Sequence, residues 1–96
     1  MGDKVRLGII GMGIMGQGHA RYILDGSVNR CELVAVCDMD SKRLEQYPSV
    51  KHYTDSGEMI RSGEVDAVLI ATPHYFHTLT GIDALQNGLH VLVEKP

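Results

Sequence analysis

The run Val5-Arg6-Leu7-Gly8-Ile9-Ile10-Gly11-Met12-Gly13-Ile14-Met15-Gly16 constrains this chain more than any other feature. A short, nearly continuous apolar segment of strand type leads straight into G-x-G-x-x-G. The pattern over Ile14–Leu24 then turns helical, and a second strand ends at Asp38, 22 residues after Gly16. Each part has a physical task in holding a dinucleotide. Gly11 permits the tight turn off the strand, Gly13 lets the backbone approach a pyrophosphate, and Gly16 lets the helix pack close to the sheet. Ile14 and Met15 belong to the same cofactor-binding loop, where the start of a helix offers free N–H groups and partial positive charge to phosphate. A carboxylate at Asp38 accepts hydrogen bonds from a ribose hydroxyl. Glycine is common here, 11 of 96 residues, and glycine turns also serve chain geometry alone. The strand before, the helix after and the acid at the tip of the second strand favour the dinucleotide reading.

Strand and helix patterns then alternate along the chain. Residues 32–37 read as the second strand and 41–46 as a short helix capped by Asp40 or Ser41 and ended by Pro48. Residues 51–53 read as a short third strand. Asp55-Ser56-Gly57-Glu58 resembles a capping box that opens a brief helix stopping near Gly63. Residues 67–70 form the fourth strand. Residues 75–87 form a helix in which Leu79, Ile82, Leu85 and Leu89 recur at helical spacing, with Gly88 at the C′ position. Residues 90–94 form the fifth strand. Alternation of this kind, with short turns, implies right-handed crossovers and a parallel sheet covered on both faces. The expected fold class is α/β, a Rossmann-type doubly wound parallel sheet. A complete sheet of this kind usually has a sixth strand, so the chain is expected to be truncated after its fifth. That makes residues 1–96 an incomplete N-terminal NAD(P)-binding domain, with no C-terminal substrate domain.

Bulk properties narrow the class. With 44% hydrophobic and 22% charged residues the chain is globular, and a net charge of −3 argues against a nucleic-acid surface. Its apolar runs are far too short to span a bilayer, and Met1-Gly2-Asp3-Lys4 opens onto a strand without a signal peptide. Cys31 and Cys37 lie on one expected strand, roughly 20 Å apart at the usual rise per residue, so they cannot bridge each other there. Two reduced thiols point to a cytoplasmic setting. His74 and His77 stand at i, i+3, but no further ligand stands at supporting spacing, so no metal site is expected. His19 reads as a packing or phosphate-side residue; His52 and His90 read as surface and strand residues. Met12 and Met15 most simply pack around the glycine turn. Lys42 and Arg43 read as a solvated helix face, with contact to a 2′-phosphate as the alternative; NAD is therefore the expected cofactor, with NADP left open.

Two further segments carry a family resemblance. One is Ala71-Thr72-Pro73-His74-Tyr75-Phe76-His77; the other is Gly88-Leu89-His90-Val91-Leu92-Val93-Glu94-Lys95-Pro96. Together with the glycine loop they resemble the N-terminal dinucleotide-binding domain of the Gfo/Idh/MocA oxidoreductases, over essentially the whole chain. The resemblance implies an NAD(P)-dependent enzyme that transfers hydride between nicotinamide and a sugar, polyol or related hydroxy compound. It places Gly11, Gly13 and Gly16 on the pyrophosphate and Asp38 on the adenosine ribose. Thr72, Pro73 and His77 would line the nicotinamide side, with Glu94 and Lys95 at the cleft and Lys95 as the catalytic residue of this part. It implies a histidine base on a second domain and a sugar or polyol as partner; a homo-oligomer is expected separately, because the apolar fifth strand around Val91-Leu92-Val93 would leave an unpaired edge. There are two departures from the family pattern. Leu89 stands where a basic residue is common, and the helix after Asp38 is short. The competing function is a dinucleotide-binding sensor or scaffold without catalysis. Lys95 and His77 argue against it, because a sensor needs no proton-handling group beside nicotinamide. A nucleotide-fold enzyme using another cofactor, such as a methyltransferase, is disfavoured by the complete glycine motif.

Overall fold

The computed structural model describes residues 5–24, 31–71 and 77–93. Within them the order is β1 (Val5–Ile10), α1 (Ile14–Leu24), β2 (Cys31–Cys37), α2 (Ser41–Leu44), β3 (Lys51–Tyr53), α3 (Ser56–Ile60), β4 (Ala67–Ile70), α4 (His77–Gln86) and β5 (His90–Val93). The five strands form one parallel sheet in the order β3-β2-β1-β4-β5. The order reverses between β1 and β4, and an open parallel sheet binds its ligands beyond the strand ends at such a reversal. The expected doubly wound α/β class is therefore the one observed.

Each sheet face has its own core. Leu7 and Ile9 of β1, Leu33 and Val36 of β2, and Ala67 and Leu69 of β4 pack with Met12, Ala20 of α1, Leu44 of α2 and Tyr47. On the opposite face Ile10, Ala35, Cys37, Val68 and Ile70 pack with Met59 and Ile60 of α3, Val65, and Ala84 of α4. Successive strand side chains alternate between faces, so a strand buried on both reads as the unbroken apolar run seen in the sequence.

One irregularity was not legible in that run. Leu7 pairs with Leu33 but Gly8 pairs with Ala35, so Val34 is an extra residue opposite β1. Val34 and Ala35 consequently pack into the same core cluster, although they are neighbours in the chain. The bulge shifts the phase of β2 by one residue before its tip, so that Val36 and Cys37 face opposite cores and Asp38 follows at the carboxyl end of β1.

The ends of the elements follow capping chemistry. Asp40 is the N-cap of α2, its side chain accepting from the Lys42 N–H. Asp55 caps α3 by accepting from the Gly57 N–H at 3.2 Å. That bond falls one residue short of the position a capping box uses. At the end of α4 the Leu89 N–H donates to the Ala84 carbonyl (3.1 Å) and the Gly88 N–H to that of Leu85 (3.0 Å). Gly88 adopts φ +79°, so the helix closes in a Schellman motif. Leu89 packs against the second core cluster.

Helical spacing located α4 correctly but not its buried side. Among the described side chains of α4, Ala84 is buried while Ile82 and Leu85 are exposed; Leu79 lies outside the described side chains, and Leu89 packs on the core as expected. The limit of α2 also shifts, to Leu44. Residues 75 and 76 of the expected α4 and residue 94 of the expected β5 lie outside the described residues. No described helix is long and apolar enough to cross a membrane.

Cys31 and Cys37 occupy opposite ends of β2 and are both free thiols. Burial pushes the Cys37 thiol up to about 12, with Asp38, Asp55 and Glu58 adding in the same direction; burial also raises Cys31. At pH 8 a thiol of pKa about 12 is ionised in only about one molecule in ten thousand. A thiol-specific reagent on the folded chain at pH 8 should therefore modify Cys31 first and Cys37 only at its unfolding rate. Equal rates for the two in the native state would contradict this packing.

Candidate functional site

The site is built at the carboxyl ends of β1 and β2, where the chain leaves each strand. Gly11 turns off β1 with φ +96°, a conformation that side-chain-bearing residues rarely adopt. Its N–H donates to the Cys37 carbonyl (2.7 Å), so the turn begins bonded to the last residue of β2. Gly16, two residues into α1, faces the Gly11 carbonyl so closely that an added Cβ would collide with that oxygen. This glycine is required by packing alone.

Gly13 is different. An added Cβ there would meet only Arg43 Nη1, at 3.8 Å. Neither space nor dihedral angle demands a glycine at this position, and the space beside its backbone stays open. The first N–H groups of α1 have no partners within the helix, and no acidic residue lies in its first turn. The loop therefore presents open backbone donors at a positive helix end, the setting that suits an anionic group.

Asp38 faces this loop. The Met12 N–H donates to its Oδ2 at 2.7 Å and the Asp40 N–H to its Oδ1 at 2.8 Å. Arg43 Nη1 approaches Oδ2 at 3.4 Å. Met12 is fully buried, so the carboxylate satisfies a buried backbone donor while ordering its own turn. The Asp38 N–H donates in turn to the Tyr53 carbonyl (3.1 Å), which fixes the acid against β3. On the inner side of the loop, Gln17 Nε2 donates to the Met12 carbonyl at 2.9 Å. Both backbone polar groups of Met12 are thus held by side chains, one from β2's tip and one from α1.

Several of the expected site residues converge here. Gly11 and Gly16 meet at the turn, Asp38 bonds the Met12 N–H within it, Gly13 lies beside Arg43, and Ile14 and Met15 start α1. His77 is the first residue of α4. Thr72, Pro73, Glu94 and Lys95 lie outside the described residues. The strands that lead to them end on the same side: the Ala71 N–H donates to the Ile10 carbonyl (2.8 Å), and Val93 pairs with Ile70. Among the described residues, no group of three His, Cys, Asp or Glu is placed to hold a metal ion.

Three further residues at the site were undervalued from sequence. Gln17 pins the loop, though nothing in the G-x-G-x-x-G pattern singles it out. Arg43 was read chiefly as a solvated helix face. Its five-residue spacing from Asp38, across a turn that folds back into α2, was the available signal. Met39, 86% exposed, stands on the tip beside the acid.

These contacts assign separate costs to the site residues. Gly16→Ala should destabilise the fold by about 2 kcal/mol or more, because the obstruction is backbone. Gly13→Ala should change stability by less than about 1 kcal/mol. Asp38→Ala should lose about 1–3 kcal/mol even with no ligand added, because it leaves the buried Met12 N–H unpaired. Urea unfolding of the three variants is the check; an Asp38→Ala chain as stable as wild type would show that the carboxylate does not pin the loop.

Comparison with known proteins places this geometry in a family. Residues 5–96 match the GFO_IDH_MocA oxidoreductase family, NAD-binding Rossmann fold. The chain is 43% identical over 95 residues to the rhizopine catabolism protein MocA of Rhizobium meliloti, covering 97% of this chain and 29% of that protein. It is 35% identical to an inositol 2-dehydrogenase of an Arthrobacter species, over 100% of this chain and 29% of the relative. Among solved structures, scyllo-inositol dehydrogenase from Lactobacillus casei with bound NAD(H) and scyllo-inositol superposes with a TM-score of 0.90 at 30% identity, over 98% of this chain and 28% of that one. The chain thus spans somewhat under a third of the length of the relatives it matches. It belongs to the Gfo/Idh/MocA oxidoreductase family and matches that family through its NAD-binding Rossmann fold.

Proposed function

We propose that this chain holds NAD at the Gly11–Gly16 turn and is the cofactor half of an NAD(P)-dependent oxidoreductase acting on a polyol or related hydroxy compound. The observation that carries the reading is the contrast between two glycines. Gly16 is required by the Gly11 carbonyl, whereas Gly13 is required by nothing in the protein itself and leaves room for a ligand. Backbone N–H groups from Gly13 to Gly16, Ile14 and Met15 included, would receive the pyrophosphate, and Asp38 the adenosine ribose. The family's oxidoreductase character and relatives named as inositol 2-dehydrogenases support catalysis in the parent protein over a purely sensory role.

When bound, NAD supplies a hydride-accepting carbon on its nicotinamide ring. The chain's own contribution is to orient that ring and handle charge beside it. Thr72, Pro73 and His77 follow β4 in the chain, and Glu94 and Lys95 follow β5; both strands end on the side of the glycine loop. The Lys95 ammonium would donate a hydrogen bond to the substrate oxygen and stabilise negative charge developing there. The base that takes the hydroxyl proton, and the floor under the substrate, would be supplied outside the span matched here. Residues 1–96 accordingly act as one N-terminal domain. With Cys31 and Cys37 both free thiols, the proposed location is the cytoplasm.

The chain should enhance NADH fluorescence on binding, with NAD(H) preferred to NADP(H) because the Asp38 carboxylate repels a 2′-phosphate. It should produce no NADH from NAD with myo- or scyllo-inositol, since loss of a positioned base typically costs about 10²–10⁴ in rate and loss of substrate positioning more. Absence of binding at millimolar NADH would contradict the cofactor assignment; sustained turnover by these residues alone would contradict the two-part reading.

The proposed homo-oligomeric state has its support at the β5 side. Among the described residues β5 pairs only with β4, and Leu92 on it is 57% exposed; Ile82 and Leu85 of α4 are exposed as well. Unpaired strand edges of this kind recruit other chains. Sedimentation should show association that grows with concentration and is reduced by Leu92→Lys; a monomer at hundreds of micromolar would contradict it.

A further inference from the structure

We propose that Gln17 is a positioning residue for the cofactor: its side chain locks the Met12–Gly13 peptide so that the Gly13 N–H faces the ligand, and loss of that lock weakens dinucleotide binding. This rests on the cofactor reading above and adds to it the residue that aims the loop's donors.

In a planar trans peptide the C=O and the following N–H point in opposite directions. Whatever holds the carbonyl therefore aims the donor. Gln17 Nε2 donates to the Met12 carbonyl at 2.9 Å. The Gln17 N–H donates to the next carbonyl, that of Gly13, also at 2.9 Å. One residue thus draws two successive carbonyls toward α1. The N–H groups of the same two peptides, on Gly13 and Ile14, are turned the other way, out from the start of the helix. Among the described residues the Gly13 N–H makes no hydrogen bond, and the space beside Gly13 is open as far as Arg43 Nη1.

The two carbonyls are not equally secure. The Gly13 carbonyl takes a backbone bond of the helix itself. The Met12 carbonyl is held by a side chain. Asp38 does not replace that hold, because it bonds the Met12 N–H, which belongs to the preceding peptide. Rotation of the Met12–Gly13 peptide is the change that separates type I from type II turns, and it requires a positive φ at the second residue. Gly13 now has a negative φ, but glycine takes positive φ with no steric penalty. The residue that leaves room for phosphate therefore also leaves its own peptide free to turn over. Turned over, the peptide would present the Met12 carbonyl oxygen to the phosphates in place of a donor. Gln17 prevents this, and a loop held in its binding orientation has less to give up when the ligand arrives.

The test combines calorimetric titration with NADH and N–H dipolar couplings of the ligand-free chain, for wild type, Gln17→Met and Gln17→Ala. Met keeps the length of the side chain without an N–H donor, and Ala removes the donor without adding a contact. Kd for NADH should rise about threefold to tenfold in both variants, the size expected for loss of one neutral hydrogen bond. In the free protein the Gly13 N–H coupling should change in both, while those of Met12 and Asp38 keep their wild-type values. Adding Gly13→Ala to Gln17→Met should return the residue-13 coupling to its wild-type value, because alanine shuns positive φ. A rise in Kd below about threefold in both single variants, an unchanged Gly13 coupling, or a coupling that stays displaced in the double variant overturns the inference and leaves the cofactor reading intact. Couplings of Met12 and Asp38 that move as far as that of Gly13 also overturn it, since Gln17 would then support the whole loop without aiming one donor. Failure of the wild-type chain to bind NADH overturns the cofactor reading and the inference with it.

Discussion

The hydrogen bond from the Met12 N–H to Asp38 Oδ2, 2.7 Å long, joins the two strand ends on which everything else at this site depends. Met12 is buried, so its backbone donor must find an acceptor inside the protein. The acceptor comes from the tip of β2, 26 residues later in the chain. The turn after β1 and the acid after β2 are thereby set at a fixed separation before any ligand arrives. Gln17 holds the Met12 carbonyl and the Cys37 carbonyl holds the Gly11 N–H, so the loop has little freedom left. A preformed loop of this kind binds without paying the ordering entropy that a floppy one would.

That bond also gives Asp38 two tasks that sequence reading treats as one. The acid is expected at this spacing because a ribose hydroxyl needs an acceptor. The structure adds that the same carboxylate completes the hydrogen bonding of the glycine turn. The two tasks are compatible because carboxylate oxygens each accept more than one donor.

Much of the fold was legible in the chain because its signals are local. The G-x-G-x-x-G turn, the cap residues Asp40 and Asp55, the C′ glycine at Gly88 and the apolar runs of β1, β2 and β4 each act within a few residues. What escaped depends on contacts between distant segments. The bulge at Val34 is a matter of register between β1 and β2, and no composition rule marks it. The exposure of Ile82 and Leu85 depends on which side of α4 meets the sheet, which helical spacing alone does not reveal. Arg43 looked like any charged residue on a short helix until the fold brought its guanidinium to Asp38 and over Gly13. The glycine motif itself hid a distinction: its first and third glycines are demanded by backbone geometry, and its second is not.

The family assignment and the geometry meet at that second glycine. A purely structural turn would have no reason to keep space above Gly13, and a dinucleotide site does. Amide chemical-shift mapping of the chain on titration with NADH tests this most directly. The account predicts that the largest shifts fall on Gly11–Gly16 and on Asp38–Asp40. Shifts confined to other surfaces, such as the exposed α4–β5 edge, or no shifts at millimolar NADH, would contradict it.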